Sequence, residues 1–501
     1  MQAIPASSGI VADLWPAFLV LLMPSLGHAQ YFVDEILNSA GDGSGNPLGG
    51  SLGIAVDGSQ NAFVAGNGSN NVFRVAPDGA VTAIIDSTGD GLGSSLQGPW
   101  FVAVDAAGNV YVPGHLSDNA FKIENPGQPS QTITEIIDAA GDLTSPFAGG
   151  HGIAVDGSGN VYVAGHISRN VFQITPGGVI TEIIDVSGDG AGNILNFPTG
   201  VAVDGSGTVY VAAQLSDNAF MITDPGQPSQ AIAEIIDALG DGQGNPLDHA
   251  ENIAVDGSGN VYVLGAVSKN VFKIENPGLP TQTITEIIDD LGDGQGNVLN
   301  NPFGIAVDGL ENVYVSGANS QNVFQVTPGG QITQIADSTG AGPGMAIQTT
   351  RSVAVDGSQN VYLAAVFNAF KLCPGQAATE VTRLGSPPNP DALRPGATTG
   401  PVLGASWDPF IDHATFLPDA VLDFLGVTAS ATNVPLPPLG TLLCDLTAPP
   451  FLFTSAPGVP FSLSIPSNCI LIGASLCSQG ASASPTDVKF TNALDITIGT
   501  F

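Results

Sequence analysis

"GHGIAVDGSGNVYVAGHISRNVF", residues 150–172, is one copy of a unit that the chain repeats. Its apolar runs are short, rich in β-branched and aromatic residues, and broken by the turn sequence DGSGN, which is the pattern of strands joined by tight turns. A further run, ITEIID at 180–185, completes four strands per unit. The Asp of the AVD element recurs at 57, 105, 156, 204, 256, 308 and 356, at spacings of 48, 51, 48, 52, 52 and 48. Periods of this size belong to propellers and solenoids. Four antiparallel strands, seven times over, predict an all-β fold: a seven-bladed β-propeller followed by a small β-sandwich-like domain.

The unequal spacings come from one hairpin. RVAPDGAVTAII (74–85) grows to KIENPGQPSQTITEII (122–137) while the rest of the unit barely changes, as expected of a surface turn on a packed scaffold. The ring's closure is legible too. EILNSAGDGSGNPL at 35–48 matches EIIDALGDGQGNPL at 234–247, yet no unit precedes it. Asp42 stands 15 residues before Asp57, as Asp90 does before Asp105 and Asp241 before Asp256. Residues 32–37 are therefore expected to be the outer strand of the seventh blade, pairing with 368–372 and removing an open edge. ATEVTRLG at 378–385 is a fainter competitor for that place.

The expected organisation is a signal peptide at 1–29, the propeller at 30–385, a Pro/Gly linker at 386–400 and a carboxy-terminal β-domain at 401–501. PAFLVLLMP is too short to span a bilayer, and LGHAQ offers cleavage after Ala29. The mature chain is thus read as secreted or cell-surface, without a membrane span. Ten Lys and Arg against 45 Asp and Glu give a formal charge of −35, which repels nucleic acid and excludes it as a partner. Four cysteines at 373, 444, 469 and 477 allow three pairings, of which the CILIGASLC spacing favours Cys469–Cys477 across a short hairpin.

SGDGAGNILNFPTGVAVDGSGTVYVA at 187–212 resembles the NHL-repeat pattern: a GDG loop, a Pro-x-Gly entry, an AVD strand, then a Val-Tyr-Val strand. The resemblance covers residues 31–385 in all seven copies. It departs after the second strand, where NHL repeats often carry Ala-Asp and then Asn-Arg; here the chain has AGHISRN or AAQLSDN. LPPLGTLLC and TNALDITIG, in turn, resemble a carboxy-terminal module found on exported bacterial proteins.

Against this constant frame, two positions vary. The residue two before the Ile or Val of the inner strand reads Leu52, Trp100, His151, Thr199, Glu251, Phe303 and Arg351. The residue after the second strand reads Asn67, His115, His166, Gln214, Ala266, Ala318 and Val366. Strand order puts both sets on the face opposite the DGSGN turns, around the mouth of the central channel. Variation on a rigid scaffold marks binding, so the expected ligand site is Trp100, His115, His151, His166, Gln214, Glu251, Phe303 and Arg351. An anionic group would go to Arg351. A divalent metal would go to His115, His151, His166 and His249, beside Glu251.

Three functions are compatible with this pattern. The first is an exported module that binds a small molecule, glycan or protein at the rim. The second is a metal-dependent lyase or lactonase, as the NHL-like resemblance implies, since some related propellers are metal enzymes with axial histidines. The third is a surface component stabilised by calcium in the GDG loops, through the pairs Asp86 and Asp90, Asp185 and Asp189, Asp237 and Asp241, or Asp289 and Asp293. No G-x-S-x-G supports a serine nucleophile. The DGSGN face, being nearly uniform, is expected to offer no distinct pocket, and the rim histidines are expected to be exposed.

Overall fold

The structure is a computed structural model describing residues 31–339, 347–397, 400–445 and 451–501; the signal-peptide reading lies outside the described residues. Seven four-stranded antiparallel sheets make up the propeller. Blade three shows the unit: Gly150–Val155, Val161–Gly165, Asn170–Ile174 and Ile180–Ile184, counted from the axis outward. Blade seven is built from Thr350–Val355, Val361–Ala365 and Asn368–Cys373, and its outer strand is Phe32–Leu37. Phe32 pairs with Cys373 and Leu37 with Ala369, so the ring closes as the loop spacing predicts.

The core lies between blades. The third-strand phenylalanines, Phe73, Phe121, Phe172, Phe220, Phe272, Phe324 and Phe370, are all fully buried. One cluster joins Tyr162 and Ala164 of blade three to Val209, Val211 and Phe220 of blade four, and the pattern recurs around the ring. Burying each such side chain contributes about 1.5–3 kcal/mol.

The AVD aspartates hold the turns on one face. Asp156 accepts the Ser158 N–H at 2.9 Å and the Asn160 N–H at 2.9 Å. It also accepts the Asn160 amide at 2.8 Å and the Tyr162 hydroxyl at 3.1 Å. Asp105, Asp256, Asp308 and Asp356 accept the same four kinds of donor. One carboxylate therefore satisfies a turn that would otherwise carry orphan donors.

The GDG loops work the same way. Asp189 accepts the Ala191 N–H at 2.8 Å with one oxygen and the Asn193 amide at 2.7 Å with the other. Asp86, Asp185, Asp237 and Asp289 accept from Thr88, Ser187, Leu239 and Leu291. Each carboxylate thus folds its own loop. The first glycine is required sterically: Gly188 sits at φ +65°, and a Cβ there would lie 1.8 Å from the Asn193 carbonyl oxygen.

After the ring comes a five-stranded antiparallel sheet in the order Thr379–Arg383, Val488–Thr497, Ser475–Ala483, Leu422–Thr428, Phe451–Ser455. Its first strand is the ATEVTRLG segment, which belongs to this sheet and not to the propeller. Arg383 explains why: it forks onto Asp495 at 2.7 and 2.9 Å and donates to the carbonyls of Thr432 and Leu443. Short two-stranded ladders pack on the sheet, burying Leu393, Trp407, Ile411 and Leu463 against Leu425, Val427, Leu494 and Ile496. The cysteine expectation is corrected as well. The bridges are Cys373–Cys469 and Cys444–Cys477. Cys469 opens a short 3-10 turn, not a hairpin strand, while Cys477 faces Leu443, Cys444 and Ala493.

Candidate functional site at the channel mouth

Each inner strand enters through one residue in the left-handed region: Gly50, Gly98, Gly149, Phe197, His249, Asn301 and Thr349, with φ between +48° and +69°. In blades one to six its carbonyl accepts the N–H of the residue after the second strand, as Gly98 does for His115 (3.2 Å), Gly149 for His166 (3.0 Å) and Phe197 for Gln214 (2.9 Å); in blade seven the Val366 N–H donates to Gln348 (3.4 Å). The entry N–H groups also donate to Ser168, Asn70, Asp118 and Asp217, so the rim is fixed without the variable side chains, which are free to differ. Blades one to three use glycine here, which adopts this conformation without strain. Blades four to seven place side chains in it at a cost of about 1–2 kcal/mol each.

A cavity of about 410 Å³ opens at this mouth, lined by Trp100, His115, His151, His166, Gln214, His249, Glu251, Phe303 and Arg351, with Ala266, Val267 and Asn301. Every residue predicted for the ligand site faces this one space. Leu52, Asn67, Thr199, Ala318 and Val366, at the same frame positions, do not line it. Blades two to seven build the site, and blade one contributes no lining residue.

One wall is aromatic. His151 lies 4.7 Å from Trp100, 5.2 Å from Phe101 and 5.1 Å from His166, centroid to centroid, and His115 stands 6.0 Å from His151 and 5.8 Å from His166. Trp100 and Phe303 are near-parallel at 6.3 Å. The Nδ1 atoms of His151 and His166 approach the carbonyls of Thr199 (3.2 Å) and Pro198 (3.3 Å). A carbonyl only accepts, so Nδ1 carries the proton and each neutral ring keeps Nε2 as an acceptor. Burial, with the neighbouring imidazoles, pushes His151 down to about 3; burial also lowers His166 to about 4, and His115 is lowered for the same reason.

The opposite wall is charged. Glu251 is 3% exposed, and one of its oxygens accepts the Gln214 amide at 2.7 Å. Burial raises its carboxyl, against the pull of that hydrogen bond. Arg351 lies over the Phe303 ring at 5.1 Å. Among the described residues, the buried side-chain polar atoms without a hydrogen-bond partner are Ser51 Oγ, His115 Nδ1, Asn196 Oδ1 and Arg351 Nε. All four belong to the mouth end of the ring. Buried polar groups are rarely left unpaired.

Three expectations are revised here. His151 is buried, not an exposed rim residue, because Trp100 and Phe101 cover it. His115, His151, His166 and His249 do not form one metal set, since three of them pack ring against ring. Among the described residues, the cluster whose ligand atoms lie within 4.8 Å of one another is Asp217, Asp248 and His249. The DGSGN face, finally, is not featureless. Crevices of about 570 and 440 Å³ lie there between blades three and four and between five and six, the first lined mainly by turn residues and the second by strand and turn residues together.

Sequence reasoning missed Phe197, whose ring packs on His166 at 4.7 Å, and also Asn301, Asp217 and Asp248. A signal for the first two was present: they stand where blades one to three have glycine.

A family model described as a beta-propeller repeat matches residues 150–173. No curated protein matches the chain. Among solved structures, a streptogramin B lyase aligns with TM-score 0.52 at 13% identity, over 69% of this chain and 99% of that one. Virginiamycin B lyase from Staphylococcus aureus aligns with the same score, identity and coverage. A catalytically inactive variant of that enzyme with quinupristin aligns at 14% identity, with TM-score 0.52 over 69% of this chain and 99% of that one. At such identity the likeness is one of fold, a propeller shared with lyases.

Proposed function

We propose that the chain is an exported propeller module of NHL type that binds a small organic ligand in the channel-mouth cavity. The carrying observation is convergence. Positions that vary on an otherwise repeated frame meet in one space, which is of ligand size and contains buried polar atoms lacking partners within the protein. Export is supported by the pairing of all four cysteines, since disulfides persist in oxidising compartments. Among the described residues no helix is long and apolar enough to cross a membrane. The test is a thermal-shift screen of small organic compounds against the purified full chain, repeated on Trp100→Ala. A hit abolished by that change supports the cavity; hits indifferent to it remove the mouth as the site.

A second reading, a metal-dependent lyase, is favoured by the Asp217, Asp248 and His249 cluster at the cavity's edge and by the lyase names of the fold's neighbours. Two carboxylates and an imidazole are a donor set for a divalent transition ion, with positions left open for substrate. Protein purified without chelator would then carry stoichiometric metal that His249→Ala loses. Metal-free protein would leave the binding module.

A further inference from the structure

We propose that the ligand of the mouth cavity is a zwitterion with a flat apolar body, placing its carboxylate on Arg351 and its ammonium on Glu251. The inference rests on reading that cavity as the ligand site. Glu251, Phe303 and Arg351 hold the same frame position in the consecutive blades five, six and seven. The ring thus presents an anion, an aryl floor and a cation in a row. The two charges attract but make no ion pair within 4.0 Å, because a whole blade, carrying Phe303, stands between them.

Each charge is left incomplete. Among the described residues, the Glu251 carboxylate accepts one hydrogen bond, from a neutral amide, and the Arg351 guanidinium makes none, with its Nε buried and unpartnered. A buried carboxylate without a counter-charge and a buried guanidinium N–H without an acceptor are both costly, so a ligand carrying only one sign would correct one end and leave the other. A molecule with both signs completes both. The rest of the wall agrees. The neutral imidazoles of His151 and His166 offer Nε2 acceptors and no positive charge to compete with an ammonium. Trp100 and Phe303 present near-parallel faces to a flat body. The net charge of −35 disfavours the approach of a simple anion, whereas a zwitterion carries no net charge to be repelled.

The experiment is calorimetric titration of the full chain at pH 7 with three indoles of one shape: L-tryptophan with both charges, tryptamine with the cation and indole-3-propionate with the anion. L-tryptophan should bind at least about tenfold tighter than either single-charge analogue. Glu251→Gln should bring L-tryptophan and indole-3-propionate to equal affinity. Arg351→Gln should bring L-tryptophan and tryptamine to equal affinity, and Arg351→Lys should keep part of the preference. The inference is overturned if indole-3-propionate matches L-tryptophan on the unaltered chain, if the preference survives either neutralising change, or if none of the three binds. Should Glu251→Gln fail to fold, the unaltered chain and the Arg351 variants still decide. A screening hit lost in Trp100→Ala, together with silence from all three indoles, would sink the zwitterion and leave the cavity standing; failure of both would remove the site as well.

Discussion

His151 and Asp156 flank the same inner strand of blade three, one near each end, and the chain treats the two ends in opposite ways. Every blade keeps the aspartate, whereas the histidine's place is taken by seven different residues. The difference lies in what holds the backbone. At the aspartate end the backbone bonds of the turn leave the Ser158 and Asn160 N–H groups to the Asp156 carboxylate, so that side chain is fixed. At the histidine end a backbone carbonyl in the left-handed region closes the turn, as Gly149 does for His166. Uniformity thus marks side chains that hold a turn, and variety marks positions whose side chains hold none.

The largest perturbation should erase this distinction. Deleting residues 31–38 removes the outer strand of blade seven and should lower stability by several kcal/mol, destabilising both faces together. An unchanged melting temperature on calorimetry would show that the strand pairing with Asn368–Cys373 does not close the ring. Asp156→Ala should sharpen the contrast. Losing the acceptor of four hydrogen bonds should cost about 2–6 kcal/mol by denaturant titration, at roughly 0.5–1.5 kcal/mol each, and leave binding at the mouth intact.

His151→Ala should cost about 2 kcal/mol, since it opens a void under Trp100, and it should also change the response to acid. The folded pKa of about 3 lies below the unfolded value of 6.5, so the unfolded chain takes up the proton first. Stability is complete above pH 6.5 and falls below it, by roughly 1 kcal/mol per pH unit for this residue, until about pH 3. The variant should show a shallower acid slope in urea titrations between pH 6.5 and 4. His413 in the carboxy-terminal sheet has the opposite sign. Burial opposes its charge, but bonds to Asp423 at 3.0 Å and to the Phe416 and Leu417 carbonyls outweigh that, and its folded pKa is raised. Its contribution is full below pH 6.5 and is lost as pH rises through the raised value. His413→Gln should therefore remove an alkaline, not an acid, dependence. The smallest effect concerns strain. Thr349 is β-branched at φ +48°, and Thr349→Asn should raise stability by up to about 1 kcal/mol in thermal melts.

The blades, their number and the closing strand were legible because each rests on a repeat, and a repeat reports its own spacing. The mouth was legible for a related reason: Trp100, His151, Glu251, Phe303 and Arg351 stand out only against a constant frame. The burial of His151 was not legible, because it depends on Phe101 and Trp100 folding over it from another blade. Nor was the partner of Cys373, which sits 96 residues away in sequence and is met only through tertiary packing. ATEVTRLG misled because its strand pattern suits either sheet. Arg383 and its distant partner Asp495 decide between them, and no periodicity relates those two.

The pairing of Phe32 with Cys373 also sets an order in time. Among the described strands, Phe32–Leu37 is synthesised first, yet its partner is made only after six blades have followed. A nascent chain interrupted at any earlier point has an unclosed ring and a strand with nowhere to dock. The same third strand ends in Cys373, whose bridge to Cys469 waits for still later residues. Assembly therefore carries its own measure of completeness: the earliest strand finds its place only when blade seven has been made, and the bond beside it forms only once Cys469 has followed.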